Sequence, residues 1–99
     1  MNLPVVFRRQ ARLDVRESYS WYEEQRKGLG KDLVAAINSV LSDVSQAPGM
    51  YPLIHRGLRR ALTRRFPYAI YYRVDANQIV VVAVLHMRRD PKAWQGRAE

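Results

Sequence analysis

The spacing of apolar positions along the chain changes from one period to another and back, and these changes divide it into elements. Leu3 to Arg8 carries Val5, Val6 and Phe7 at its centre and reads as a short strand. From Gln10 to Lys27 the spacing is helical. Ala11, Val15, Ser18 and Tyr22 fall at i, i+4, i+7 and i+11 on one face, with Tyr19 alongside. Glu23 precedes Lys27 by four residues, a favourable pair on a helix, and Gly28 is placed for a helix C-cap. A second helix is predicted from about Gly30 to Gln46. Its stripe is Leu33, Ile37, Leu41 and Val44, with Val40 beside it, and Pro48 ends it. The break at Gly28-Leu29-Gly30 is short, so the two helices should form an antiparallel hairpin.

After the loop signal Pro48-Gly49-Met50-Tyr51-Pro52, strands are expected at Leu58 to Thr63, Tyr68 to Asp75 and Gln78 to His86. The second alternates Tyr68, Ile70, Tyr72 and Val74 against Ala69, Tyr71 and Arg73. Ala76-Asn77 suits a two-residue hairpin turn, because asparagine tolerates positive φ. Asp90-Pro91 reads as an N-cap followed by an N1 proline, which predicts a short C-terminal helix over Lys92 to Arg97. The fold class is α+β. The order is β-α-α-β-β-β in one domain over residues 1–99, with the helix hairpin packed on one face of a mainly antiparallel, twisted sheet and a short C-terminal helix or tail. The last strand is apolar on both faces: strict alternation sets Val80, Val82 and Val84 opposite Ile79, Val81, Ala83 and Leu85. The sheet face away from the helices therefore needs cover, from the tail with Trp94, from another protomer or from a partner chain.

Composition narrows the setting. An apolar content of 47% suits a folded globule and excludes a disordered tail. The chain has no cysteine, which removes disulfides, zinc-thiolate sites and thiol catalysis and fits a reducing compartment. The longest apolar run, Ile79 to Leu85, is far too short to span a bilayer. Arg8 and Arg9 follow the first apolar stretch, whereas a secretion signal would have them precede it. A cytoplasmic location without membrane contact is expected. The formal charge is +8, carried by 14 arginines and 3 lysines. Arginine binds phosphate and carboxylate bidentately and stacks on rings, so the bias points to an acidic partner: nucleic acid, a nucleic-acid enzyme or an acidic protein segment.

Candidate chemistry is sparse. There is no phosphate-binding glycine loop, dinucleotide fingerprint, His-Glu-x-x-His or nucleophile elbow, and no cofactor is implied. Two distant histidines without clustered carboxylates make no metal site. Five arginines fall between Arg56 and Arg65. They form either a solvated strand edge that resists aggregation or an anion-binding surface, to which Arg65, Arg73, Arg88 and Arg89 would add. His86 closes an apolar strand. It is either structural or a general acid or base beside arginines, as RNA cleavage through the 2′-hydroxyl would require, with Tyr71 or Tyr72 as the second proton-transfer group. Trp21, Tyr22, Tyr51 and Tyr68 read most simply as packing residues.

Several motifs follow one another in a fixed order: Ala11-x-x-Asp14-Val15, Trp21-Tyr22-Glu23, Gly28-Leu29-Gly30, Pro48-Gly49-Met50-Tyr51-Pro52, Arg65-Phe66-Pro67-Tyr68 and Val84-Leu85-His86-x-x-Arg89-Asp90-Pro91-x-x-Trp94. Over nearly the whole chain this resembles the RelE/ParE superfamily of toxins from bacterial type II toxin–antitoxin modules. The resemblance implies a helix hairpin on a sheet and a cognate antitoxin that folds onto the toxin. It also implies one of two targets: DNA gyrase, inhibited by ParE-like members, or mRNA on the ribosome, cut by RelE-like members. The sequence resembles the ParE side more closely. Its Tyr51 to Gly57 loop offers His55 and Arg56 but no lysine, and the tail after Asp90 has no tyrosine, histidine or glutamate before Glu99. On that reading there is no catalytic residue, and Arg88, Arg89, Lys92, Trp94 and Arg97 face the target. On the nuclease reading Arg65, Arg73 and His86 form the site. Tyr19, Tyr22, Arg59 and Arg60 are the residues expected to contact antitoxin.

Overall fold

The computed structural model describes residues 2–98, so Glu99 lies outside the described residues. The elements are β1 (Val5–Phe7), α1 (Arg9–Gln25), α2 (Leu29–Gln46), β2 (Leu53–His55), β3 (Leu58–Leu62), β4 (Tyr68–Asp75), β5 (Gln78–His86) and α3 (Lys92–Gln95). The sheet order is β1-β5-β4-β3-β2. β1 pairs with β5 in parallel, because the helix hairpin between them carries the chain over one face; every other pairing is antiparallel. The α+β architecture and the helix hairpin on a mainly antiparallel sheet are as the sequence predicts. Among the described residues no helix is long and apolar enough to cross a membrane.

Three local expectations need correction. First, β2 lies in what the sequence presents as a loop. It is only three residues long and follows Pro52. Its pairing to β3 is set by the turn at Arg56 and Gly57, both left-handed at φ 44° and 81°, the geometry that matches a tight hairpin to strand twist. Second, Gly28 does not cap α1. That helix ends at Gln25 with Arg26 extended, and Gly28, at φ 89°, turns the chain into α2. Third, α3 is shorter than expected and Pro91, not Asp90, stands at its N-cap position, although the Asp90 Oδ1 accepts the Lys92 N–H at 2.9 Å.

The helices meet closely at Gly30. A Cβ there would lie 2.6 Å from the Tyr19 carbonyl oxygen, so only glycine fits. Glu23, the predicted partner of Lys27, accepts the Gly30 N–H at 2.8 Å. Backbone hydrogen bonds, from Gly28 first and then Gly30 and Lys31, pull its carboxyl below the usual range.

Two apolar layers flank the sheet. On the helix side, Leu33, Ile37 and Val44 of α2 pack against Ile70, Tyr72 and Val81, all almost wholly buried. On the other side, Leu58, Tyr71, Val80, Val82 and Leu85 are covered by Trp94 and Ala98. Of the three covers the sequence allows, the tail supplies this one. A bulge alters the faces of β5. Tyr71 pairs with Ala83 and Tyr72 with Val81, so Val82 has no opposite number. Strict alternation therefore fails from Ala83 onward. Val84 joins Ile79 and Val81 on the helix side, while Ala83 and Leu85 join Val80 and Val82 on the other.

Candidate functional site

β1 stops at Phe7, but β5 runs on to His86, so the second half of β5 has no strand on that side. Its backbone is satisfied in another way. The Arg8 N–H donates to the Val81 carbonyl at 3.0 Å, and beyond that point side chains take over. Asp14 of α1 accepts the Val84 N–H on Oδ2 at 3.0 Å. Arg97 grips the same carboxylate with Nη1 at 2.6 Å and Nη2 at 3.2 Å, and its Nη1 also donates to the Val82 carbonyl at 3.3 Å. Both side chains are mostly buried, at 20% exposure for Arg97 and 10% for Asp14. One acceptor and one donor thus occupy the positions that a neighbouring strand would fill. The clasp also holds the C-terminal segment so that Trp94 stacks on Tyr71, with centroids 4.7 Å apart and planes 13° apart.

Of the residues expected to face the target, the structure leaves Arg88 and Arg89 exposed on the segment joining β5 to α3, and Lys92 exposed at the first position of α3. Trp94 and Arg97 are placed differently. Trp94 is 7% exposed and Arg97 is committed to Asp14. Asp14 stood in a motif, but its role was not legible, because the partners that define it come from β5 and from residue 97.

The residues of the nuclease reading are not brought together. His86 pairs with Tyr68 on the helix face, its ring 5.5 Å from that of Tyr68, and its Nδ1 accepts the Arg88 N–H at 3.0 Å. Arg73 pairs with Val80 at the far end of β4 and alternates with Tyr71 onto the opposite face. Five steps along the strand separate Tyr68 from Arg73, roughly 17 Å. Arg65 sits in the β3–β4 turn at φ 71°, over the Phe66 ring, with an exposed contact of 3.5 Å to Asp32.

The four residues assigned to antitoxin contact are divided. Tyr22 packs edge-on against Phe66, and Tyr19 lines the close approach at Gly30. Arg59 donates to the Tyr51 carbonyl at 2.6 Å, while Arg60 is exposed on β3. Beside Arg59, the buried Tyr72 donates to the Pro48 carbonyl at 2.7 Å, so this pair pins the Pro48–Pro52 loop to the sheet. Burial pushes the Tyr72 phenol up to about 12, against the partial offset of the Arg59 charge. A phenol whose pKa is raised on folding stabilises the fold fully below its unfolded value near 10, and that contribution disappears as pH climbs to about 12. Alkaline titration followed by circular dichroism should therefore show stability falling over that window, and Tyr72→Phe should flatten the fall. An equally steep decline in the variant would place the titrating group elsewhere.

Two further surface features stand out. A groove of about 290 Å³ lies between α1 and α2, with the half-buried Phe7, Val15 and Val34 over the buried Ile37 and with Arg12 and Arg16 alongside. A separate polar pocket on the other side of the sheet is lined by His55, Arg56, Lys92, Gln95 and Gly96. Among the described residues no cluster of histidines and carboxylates could hold a metal.

A family model described as the ParE toxin of the type II toxin–antitoxin system, parDE, matches residues 5–91. A chain of the chromosomal ParDE toxin–antitoxin system from P. aeruginosa is similar in structure, with a TM-score of 0.75 and 18% identity over 85% of this chain and 95% of that one. A chain of the RelBE2 toxin–antitoxin complex from Mycobacterium tuberculosis is also similar, with a TM-score of 0.60 and 24% identity over 87% of this chain and 99% of that one. No curated protein matches the sequence.

Proposed function

Because the chain belongs to the ParE toxin family of type II toxin–antitoxin systems, we propose that it inhibits DNA gyrase by binding and that a cognate antitoxin holds it in check. The observation that carries the gyrase reading is the scatter of the nuclease candidates. Arg73 and His86 lie on opposite faces and toward opposite ends of β4, whereas acid–base cleavage needs its groups converging on one phosphodiester. Arg88 and Arg89, exposed after β5, and Lys92, exposed at the start of α3, are the residues we assign to the target. For the antitoxin we assign the groove between α1 and α2. Its apolar surface beside Arg12 and Arg16 suits a segment that is apolar on one side and acidic on the other.

The test is supercoiling of relaxed plasmid by purified gyrase in the presence of the purified protein. Supercoiling should stop, and Arg88→Ala/Arg89→Ala should restore it, with thermal stability within about 0.5 kcal/mol of the parent as for other exposed sites. Undiminished supercoiling, together with truncated mRNA in a translation reaction, would transfer the protein to the nuclease class.

A further inference from the structure

The sheet face opposite the helix hairpin carries a cationic surface that the target assignment above leaves largely unused. Its members lie on four neighbouring elements. His55 pairs with Leu58, Arg60 pairs with Tyr71, and Arg73 pairs with Val80, all within the layer that Trp94 covers. Contacts make the surface continuous. The His55 ring meets the edge of Trp94 at 6.0 Å, Trp94 stacks on Tyr71, and the Arg60 charge acts on the Tyr71 hydroxyl. Beyond His55 the pocket it shares with Arg56, Lys92 and Gln95 opens to solvent. Asp75, at the tip of the β4–β5 hairpin, is the one carboxylate on the strands of the sheet among the described residues. Arg73 is half-buried on this face, and its Nε is buried and unbonded.

We propose that this face binds the phosphate backbone of duplex DNA, with Arg60, Arg73 and Lys92 as the phosphate contacts. The proposal rests on the gyrase reading for its biological setting, since DNA is gyrase's own substrate, but not for its chemistry. Trp94 is too deeply buried to stack on a base, so the contacts are to backbone and carry no sequence preference. Three adjacent strands span about 10 Å, and a duplex presents one negative charge per about 1.7 Å of axis, so several phosphates fall within reach of the surface.

Fluorescence anisotropy with a labelled mixed-sequence duplex, without gyrase, tests this across a series of salt concentrations. Arg60→Gln/Lys92→Gln should weaken binding about tenfold or more and lower the salt slope by about 2, because each substitution removes one cation from a phosphate. Arg73→Gln should act in the same direction. Arg26→Gln/Lys27→Gln, which removes the same charge from the far end of α1, should leave the slope at its parent value. An equal loss in both double variants, or in neither, overturns the assignment, because charge alone would then account for binding. Gyrase inhibition without measurable binding to free duplex also overturns it, while leaving the gyrase reading intact. Face-specific DNA binding with no effect on supercoiling supports the site and rejects the gyrase reading.

Discussion

Replacing Asp14 with alanine should lower the thermal midpoint of unfolding by roughly 10–20 °C, the largest effect expected from a single polar substitution in this protein. Three losses combine. The Val84 N–H forfeits its acceptor in a partly buried strand, at a cost of about 1–3 kcal/mol. The Arg97 guanidinium, only 20% exposed, loses its bidentate partner. The clasp on the C-terminal segment then opens. Alanine's better helix propensity within α1 offsets only about half a kcal/mol of this. Arg97→Ala should cost less, because Asp14 keeps the Val84 bond and can draw in water. A double-mutant cycle should return a coupling of about 1–3 kcal/mol. A midpoint shift of only a few degrees for Asp14→Ala would show that the carboxylate is incidental to the strand edge.

Trp94→Ala should be nearly as damaging. Truncating a buried tryptophan costs about 3–5 kcal/mol, and here the loss includes the stack on Tyr71 and the lid over Val80, Val82 and Leu85. The uncovered face is apolar and contiguous, so the variant should bind a hydrophobic dye and associate at high concentration. Lys92→Gln, two residues away but exposed, should do neither. Light scattering and dye fluorescence on the pair decide the matter: equal behaviour would mean that Trp94 does not act as cover. One practical consequence follows. Removing the residues after Asp90 would abolish toxicity by unfolding the second face, whatever that segment touches in the target. Substitutions at Arg88 and Arg89 are the cleaner probe of target contact.

Long periodic segments were legible in the sequence because one face of each is buried. The stripe Leu33, Ile37, Leu41 and Val44 gave α2 its length, and the alternation of Tyr68, Ile70 and Tyr72 gave β4 its inner face. Features that depend on distant pairing were not legible. β2 exists because β3 lies beside it, and three residues carry too little period to announce that. The bulge at Val82 cannot be inferred from an unbroken apolar run, since every register of such a run looks buried. Arginine enrichment could not sort the individual arginines. Arg59 and Arg97 are committed to internal carbonyls and a carboxylate, while Arg60, Arg88 and Arg89 remain exposed. Trp94 was read both as cover and as target contact, and the fold places it as cover.

The parallel pairing of β1 with β5 has a consequence for the order of events during synthesis. Val5 to Phe7 emerge first, yet their partners Ile79 to Val81 are made more than seventy residues later, and Asp14 waits longer still for Arg97. Such long-range contacts close slowly and late. A nascent chain can form the helix hairpin alone, with its apolar underside bare, but it has no middle strand and no sealed edge. Until Arg97 has been made, that chain is therefore open to proteases and aggregation.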